Sequence, residues 1–203
     1  MMYCTNCGTK NEDSFRFCKE CGKPLKVDMQ YASQQNSFTA PIMLSMSPNK
    51  ITFSGYSFDV TDSSGKIVYK AETMASGFFY KAHICDEAGN ELLRIQQQAK
   101  ATFVTLKFEL YRGQQFIAHI NQEIKGNRYV YDLPELGIFT EGDSYGIHLQ
   151  ITENGMAIAT TSKKMTSFSD VYDITLNHPL RAEIVLAIIM VVQIVIGRSR
   201  RRR

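Results

Sequence analysis

The sequence predicts a mainly β protein, in which an antiparallel sheet closes into a sandwich or a barrel. A small zinc-binding module precedes the sheet and an apolar helix follows it. Three observations support this: two Cys-x2-Cys pairs near the start, segments in which apolar and polar residues alternate, and one long apolar run before an arginine-rich end. The 203 residues fit one domain with a small appendage, and 44% hydrophobic and 21% charged residues are ordinary for a globular protein.

The first element is a Cys4 zinc site formed by Cys4, Cys7, Cys18 and Cys21. Ten residues separate the two pairs, which is enough for a short hairpin but not for a core, so the metal would supply most of the folding free energy. Disulfides are the alternative, and the absence of a secretory apolar segment before Cys4 argues against them. Four thiolates leave no open coordination position, so we expect one structural Zn²⁺ per chain.

Residues 1–26 form this predicted ribbon. With glycine after the second cysteine of each pair and Phe17 before Cys18, the segment resembles the small zinc ribbons at the start of many bacterial and archaeal proteins. The resemblance implies a bound metal and leaves the function of the ribbon open. One interpretation is that the ribbon binds a protein partner. Basic and acidic residues are mixed along the ribbon, whereas a ribbon that reads DNA should be more one-sided, so specific nucleic-acid binding is not expected.

Residues 27–40 are polar and irregular, and they predict a flexible linker. Strands follow, because apolar residues recur at every second position within 104–110, 145–151 and 172–176. Turn signals separate such segments, and their spacing favours an antiparallel meander. These signals are Ser64-Gly65, Gly89-Asn90, Arg112-Gly113, Gly126-Asn127, Glu141-Gly142-Asp143 and Asn154-Gly155.

Residues 184–196 are apolar on every side except Gln193. The run is too long for a typical strand, and its flanks favour a helix over about 180–197. Pro179 suits a first helical turn, Glu183 lies near the positive end of the dipole, and Gly197 is the expected C-terminal stop. A helix that is apolar all round must be buried, either in protein or in lipid.

The lipid alternative is a tail-anchored membrane protein. A spanning helix needs about 20 apolar residues, and this run is shorter and contains Gln193. A tail anchor would also carry the terminal arginines across the membrane, against the positive-inside tendency. Burial inside the β domain is therefore the preferred prediction.

The arginine-rich tail, residues 198–203, dominates the charge of the chain. The net charge is +3, but without these arginines 18 basic residues stand against 20 acidic ones. The body of the protein is thus not expected to bind nucleic acid electrostatically, whereas the tail is a candidate site for anionic lipid. The candidate lipid-binding residues are Arg198, Arg200, Arg201, Arg202 and Arg203.

Several segments together carry a family resemblance. Residues 57–69, residues 78–91, and above all the stretch from Ala157 through Lys163 and Tyr172 into the apolar run resemble the LURP-one-related family. That family belongs to the Tubby C-terminal-like superfamily, which also holds the phospholipid scramblases. Over residues 41–197 the resemblance implies a closed β-barrel of about twelve strands around one hydrophobic helix. The arginine cluster after the helix departs from the expected family pattern.

No catalytic set is recognisable in the sequence. Cys85 is predicted to be a core or half-buried thiol, and His83, His119 and His148 are predicted on polar strand faces, with His178 at the start of the helix. We therefore expect a non-enzymatic cytoplasmic binding or adaptor protein with an unknown ligand. The alternative is a protein held at the surface of an anionic membrane through the basic tail or the barrel.

Overall fold

The structure is a computed structural model that describes residues 2–3, 9–11, 40–52, 55–76, 79–98, 106–126, 128–143, 146–165 and 170–200. The chain divides into two compact units, Met1–Ala40 and Pro41–Arg203. In the first unit, β1 (Met2–Tyr3) pairs antiparallel with β2 (Lys10–Asn11). The four cysteines of the predicted zinc site and residues 27–39 of the predicted linker lie outside the described residues.

The second unit is a closed barrel of twelve antiparallel strands, which confirms the mainly β prediction and decides between sandwich and barrel. Each strand pairs with its neighbours in sequence, and the pairing of β14 with β3 closes the ring. The strands are β3 (Ile42–Thr52), β4 (Gly55–Asp62), β5 (Ile67–Ser76), β6 (Phe79–Asp86), β7 (Glu91–Gln97), β8 (Leu106–Arg112), β9 (Gln115–Lys125), β10 (Arg128–Leu133), β11 (Ile138–Gly142), β12 (His148–Glu153), β13 (Met156–Met165) and β14 (Asp170–Leu176).

Inward-facing residues alternate with outward-facing ones, as the sequence pattern predicted. In β8, Leu106, Phe108 and Leu110 are buried, while the residues between them face outward. In β14, Tyr172, Ile174 and Leu176 are buried in the same way. One prediction extended too far, because β12 begins at His148 and Ile147 belongs to the connection before it.

The apolar run forms the core helix of the barrel. A short 3-10 turn, Pro179–Arg181, leads into α1 (Ala182–Arg200). Every residue from Ile184 to Val192 is buried against the inward faces of the strands. By length and composition this helix is also able to cross a membrane, but most of it is buried inside the barrel.

The predicted helix stop at Gly197 is wrong. Helix α1 continues through Gly197 to Arg200, and Gly197 does not adopt the left-handed conformation of a helix cap. A glycine inside a helix costs about 1 kcal/mol relative to alanine, which does not by itself end a helix. Arginine in the last turn of a helix favours its continuation, since arginine is a good helix former and its charge suits the negative end of the helix dipole. Arg198 and Arg200 therefore belong to the helix and do not lie beyond it.

The helix gives the barrel two distinct ends. At the entry end, Glu183 in its first turn lies 2.6 Å from Arg112 at the end of β8, and Arg181 pairs with Glu153 at the end of β12. At the exit end, Gly146 lies against the helix in the connection between β11 and β12. A Cβ atom at Gly146 would come within 2.7 Å of Ile196 and 2.8 Å of Val192. Residues 197–200 continue the helix past this level.

Candidate binding groove

A groove of about 750 Å³ crosses the outer face of six neighbouring strands, from β10 to β14 and on to β3. Because side chains alternate along a strand, outward positions of paired strands line up in rows. The row nearer the exit end consists of His148, Ser162 and Asp173. The next row consists of Glu141, Gln150, Thr160, Thr175 and Met43. The side chains of these two rows are thus polar except that of Met43.

Asp143 builds the rim of the groove at the exit end. Its carboxylate accepts hydrogen bonds from the backbone N–H of Ile147, at 3.0 Å, and of His148, at 2.9 Å. Its carbonyl oxygen accepts a third, of 3.1 Å, from the N–H of Gly146. The residue therefore orders the described part of the β11–β12 connection, which contributes to the groove on one side and packs on helix α1 on the other.

The charges of the groove are mainly acidic. Glu141, Asp143 and Asp173 line it together with one basic side chain, that of Arg128. Lys164 approaches from the edge, with its Nζ 2.5 Å from a carboxylate oxygen of Asp173. An anionic headgroup would meet more negative than positive charge here, so the described groove favours a polar or cationic ligand.

Inside the barrel, a buried polar cluster lies towards the exit end. The side-chain amide of Gln193 donates a 2.6 Å hydrogen bond to the hydroxyl of Tyr172. The Lys163 side chain, 1% exposed, places its Nζ 2.5 Å from Asp170 and 5.4 Å from the centre of the Tyr172 ring. No hydrogen-bond acceptor is aligned with this Nζ among the described residues, so the pair is held by charge at close range.

Sequence reasoning missed this cluster, although one signal for it was present. Ala159, Thr161 and Lys163 follow one another at period two on the inward face of β13. Counting along that face would have placed Lys163 in the interior. The interior also buries the Tyr131 hydroxyl, and burial raises the pKa of Tyr131 well above its ordinary value.

The cysteine and histidine predictions agree with the structure. Cys85 is half-buried on the outward side of β6, where burial, followed by the carboxylates of Glu72 and Glu91, raises the pKa of its thiol. A thiol with a raised pKa is a poor nucleophile at neutral pH. His83 and His119 lie on half-exposed strand positions, His148 is exposed on β12, and His178 directly precedes the 3-10 turn.

The two strand histidines are engaged by carboxylates. His83 Nδ1 lies 2.6 Å from Glu91 Oε2, and His119 Nδ1 lies 2.5 Å from Glu135 Oε1. Within the described parts of the chain, no group of three or more histidine, cysteine or acidic residues has the geometry to hold a metal ion. Of the predicted lipid-binding arginines, Arg198 and Arg200 occupy the last turn of α1, and residues 201–203 lie outside the described residues.

Comparison with known families identifies the barrel. The model of the LURP-one-related family matches residues 42–193, most of the chain. The chain belongs to the LURP-one-related family. A second family model, described as a domain of unknown function (DUF7577), matches residues 2–26. Comparison with curated proteins gives no match.

A solved structure shares the fold of this LURP-one-related chain. It is the X-ray structure of a protein from Arabidopsis thaliana, AT5G01750, with a TM-score of 0.53 and 13% sequence identity. The alignment covers 78% of this chain and 94% of the plant protein. At this identity the likeness establishes a common barrel fold and carries no information on the ligand.

Proposed function

We propose that this LURP-one-related protein is a non-enzymatic cytoplasmic binding or adaptor protein whose ligand site is the outer groove. The observation that carries the proposal is the filled barrel: helix α1 occupies the interior from Ile184 to Ile196, so a ligand is left with the outside. The groove is the place where polar side chains from five neighbouring strands converge, with Met43 of β3 beside them. A concavity with apolar surface and a few convergent polar groups is the usual form of a ligand site.

The charge of the groove supports a basic segment of a partner protein as the ligand. An arginine or lysine side chain of such a segment would pair with Glu141, and the serine and threonine hydroxyls would bond to the polar groups of the segment. Such a segment would also avoid the repulsion that a phosphate group would meet from the acids of the groove.

Labelled peptides of defined charge test this proposal. We expect a lysine- and arginine-rich peptide to bind, as followed by fluorescence anisotropy, while acidic and neutral serine-rich peptides of equal length do not. Glu141→Lys should weaken binding severalfold. Glu72→Lys is the matched control, since Glu72 is an exposed acid on β5, half-way round the barrel from the strand of Glu141. Equal binding of basic and acidic peptides, or equal loss in both variants, would refute the assignment of the groove.

For the N-terminal unit we propose a structural zinc ribbon that offers a second contact to a protein partner. Its support is the spacing of Cys4, Cys7, Cys18 and Cys21. Tyr3 pairs with Lys10, so the residues on either side of the first Cys-x2-Cys are neighbours in a small sheet.

A second candidate function is adsorption to anionic membranes through the tail. The observation in its favour is the continuation of α1 through Gly197, which carries Arg198 and Arg200 past the level where Gly146 packs on the helix. Each basic residue near an anionic surface contributes about 1 kcal/mol. Co-sedimentation with anionic vesicles should therefore be weak, salt-sensitive, absent with neutral vesicles and abolished by deleting residues 199–203. Binding that survives both the deletion and high salt would place the lipid site elsewhere.

A further inference from the structure

The exit end of the barrel brings the arginine-rich terminus close to the acidic groove. Ile196 packs where Gly146 passes over the helix, and α1 rises about 1.5 Å per residue, so the backbone of Arg200 lies about 6 Å further along the axis. Residues 201–203 follow, and three residues span at most about 10 Å when extended. The described helix thus ends a short distance along the axis from the level of Gly146.

The same connection that covers the helix forms the rim of the groove. The N–H of Gly146 is bonded to the carbonyl oxygen of Asp143 at 3.1 Å, and the side chain of Asp143 lines the groove. Glu141 lies two residues further down β11, about 7 Å away along the strand. Both acids therefore lie at the end of the barrel where the helix emerges.

The charges of the two segments are complementary. Of the three carboxylates that line the groove, that of Asp173 is paired with Lys164, whereas Glu141 is exposed with no ion-pair partner among the described residues. The chain outside the described part adds Arg201, Arg202 and Arg203. Guanidinium groups bind carboxylates through paired N–H donors, so arginine suits this surface better than lysine does.

We propose that residues 201–203 of this chain dock in its own groove, against Glu141 and Asp143. This inference rests on the proposed function, in which the groove binds a basic segment, and it identifies the C-terminal arginines of the same chain as one such segment. The terminus then acts as an internal competitor. While it lies in the groove, it blocks a basic partner segment, and it is withheld from an anionic membrane surface.

The expected strength is modest, which suits a competitor that must be displaced. An exposed ion pair shifts an equilibrium by about 1.5- to 5-fold. Two or three such pairs hold the terminus in the groove at low salt, and they weaken as the Debye length falls from about 10 Å at 0.1 M salt to about 3 Å at 1 M.

Backbone amide NMR spectra of the full chain and of a chain that ends at Arg200 test the proposal. At low salt, we expect amide shifts to differ between the two proteins at groove residues such as His148, Gln150 and Ser162, and the differences to vanish at 1 M salt. Glu141→Gln in the full chain should move the same amides most of the way towards the shortened protein. Glu72→Gln, on the far side of the barrel, should leave them unchanged. Shift differences confined to the last turn of α1 would overturn the proposal.

Two further measurements separate this inference from the function of the groove. The peptide Ser-Arg-Arg-Arg-Arg, added to the shortened protein, should restore the groove shifts and should bind it severalfold more tightly than it binds the full chain. Peptide binding of equal strength to both proteins would sustain the groove but refute the docked terminus, and no binding at all would refute both. Groove shifts that grow with protein concentration would assign the occupant to a second copy and overturn docking within one chain.

Discussion

Gln193 of the core helix donates a 2.6 Å hydrogen bond to the hydroxyl of Tyr172 on β14. Gln193 is the polar exception within the apolar run 184–196, and Tyr172 is fully buried. The bond fixes the rotation of the helix about its axis, because turning the helix in either direction would leave a polar amide facing apolar strand residues.

Removing the Tyr172 hydroxyl should destabilise the barrel, because it leaves a second polar group without a partner. In Tyr172→Phe the Gln193 amide loses its acceptor, so we expect the free energy of unfolding to fall by about 1–3 kcal/mol. Tyr172→Phe combined with Gln193→Leu should cost less than the sum of the two single changes. Urea titration followed by circular dichroism measures both, since the chain has no tryptophan. Strict additivity would mean that the two side chains do not interact.

Replacing Asp170 should destabilise the protein more than replacing Lys163, its partner in the buried ion pair. Asp170→Asn leaves the ammonium, 1% exposed, without its counter-ion, and should cost about 3–5 kcal/mol. Lys163→Met leaves a carboxylate that is 25% exposed and able to meet water, so it should cost clearly less. Thermal unfolding of the two variants ranks them. The reverse order would indicate that the ammonium reaches solvent in solution.

Gly146 should tolerate alanine poorly. Its φ is +64°, and an added methyl group would overlap Ile196 and Val192, which predicts a loss of about 2–4 kcal/mol. Gly155 is the matched control, with φ of +83° and no atom within 4 Å of the place that a methyl group would occupy. Gly155→Ala should cost about 1 kcal/mol. Equal losses in thermal stability would show that Gly146 does not pack on the helix.

A charge in the middle of α1 should prevent folding. Ile188 is fully buried, so Ile188→Asp places a carboxylate in an apolar interior at a cost comparable with the total stability of a domain. We expect insoluble or unfolded protein. Leu180→Asp, 61% exposed just before the helix, should be soluble and folded. Carbonate-resistant membrane association of the unaltered protein would instead favour a spanning helix.

Metal analysis of the purified protein should give one zinc per chain. Cys18→Ser should lose the metal, because three thiolates bind far more weakly than four, whereas Cys85→Ser should retain it. Chelation should unfold the ribbon and leave the thermal transition of the barrel nearly unchanged. Unchanged zinc content in Cys18→Ser would refute the Cys4 assignment, and loss of both transitions together would show that the ribbon docks on the barrel.

The strands and the buried helix were predictable because each depends on a local pattern. Alternation of buried and exposed side chains marks β8 and β14, and the apolar run can only be accommodated by burial. The number of strands came from the family resemblance, since ring closure depends on pairing between residues far apart in sequence, such as Met43 and Thr175.

The groove and the end of the helix were not predictable in the same way. Glu141, Gln150 and Thr160 belong to three strands, and their common row follows from strand register, which no local pattern fixes. Gly197 was misjudged because a glycine after an apolar run often caps a helix, whereas here the following arginines stabilise the continued turn.

Helix α1 follows all twelve barrel strands in the sequence. During synthesis, all the barrel strands are therefore translated before the core helix. Until then, inward side chains such as Phe108 and Ile120 have no partner at the barrel axis. Nascent chains at this stage expose apolar surface that is prone to aggregation, so we expect them to depend on chaperones. A chain that stops before Ala182 would contain the barrel strands without the core helix, and we expect such a fragment to be degraded rapidly in the cell.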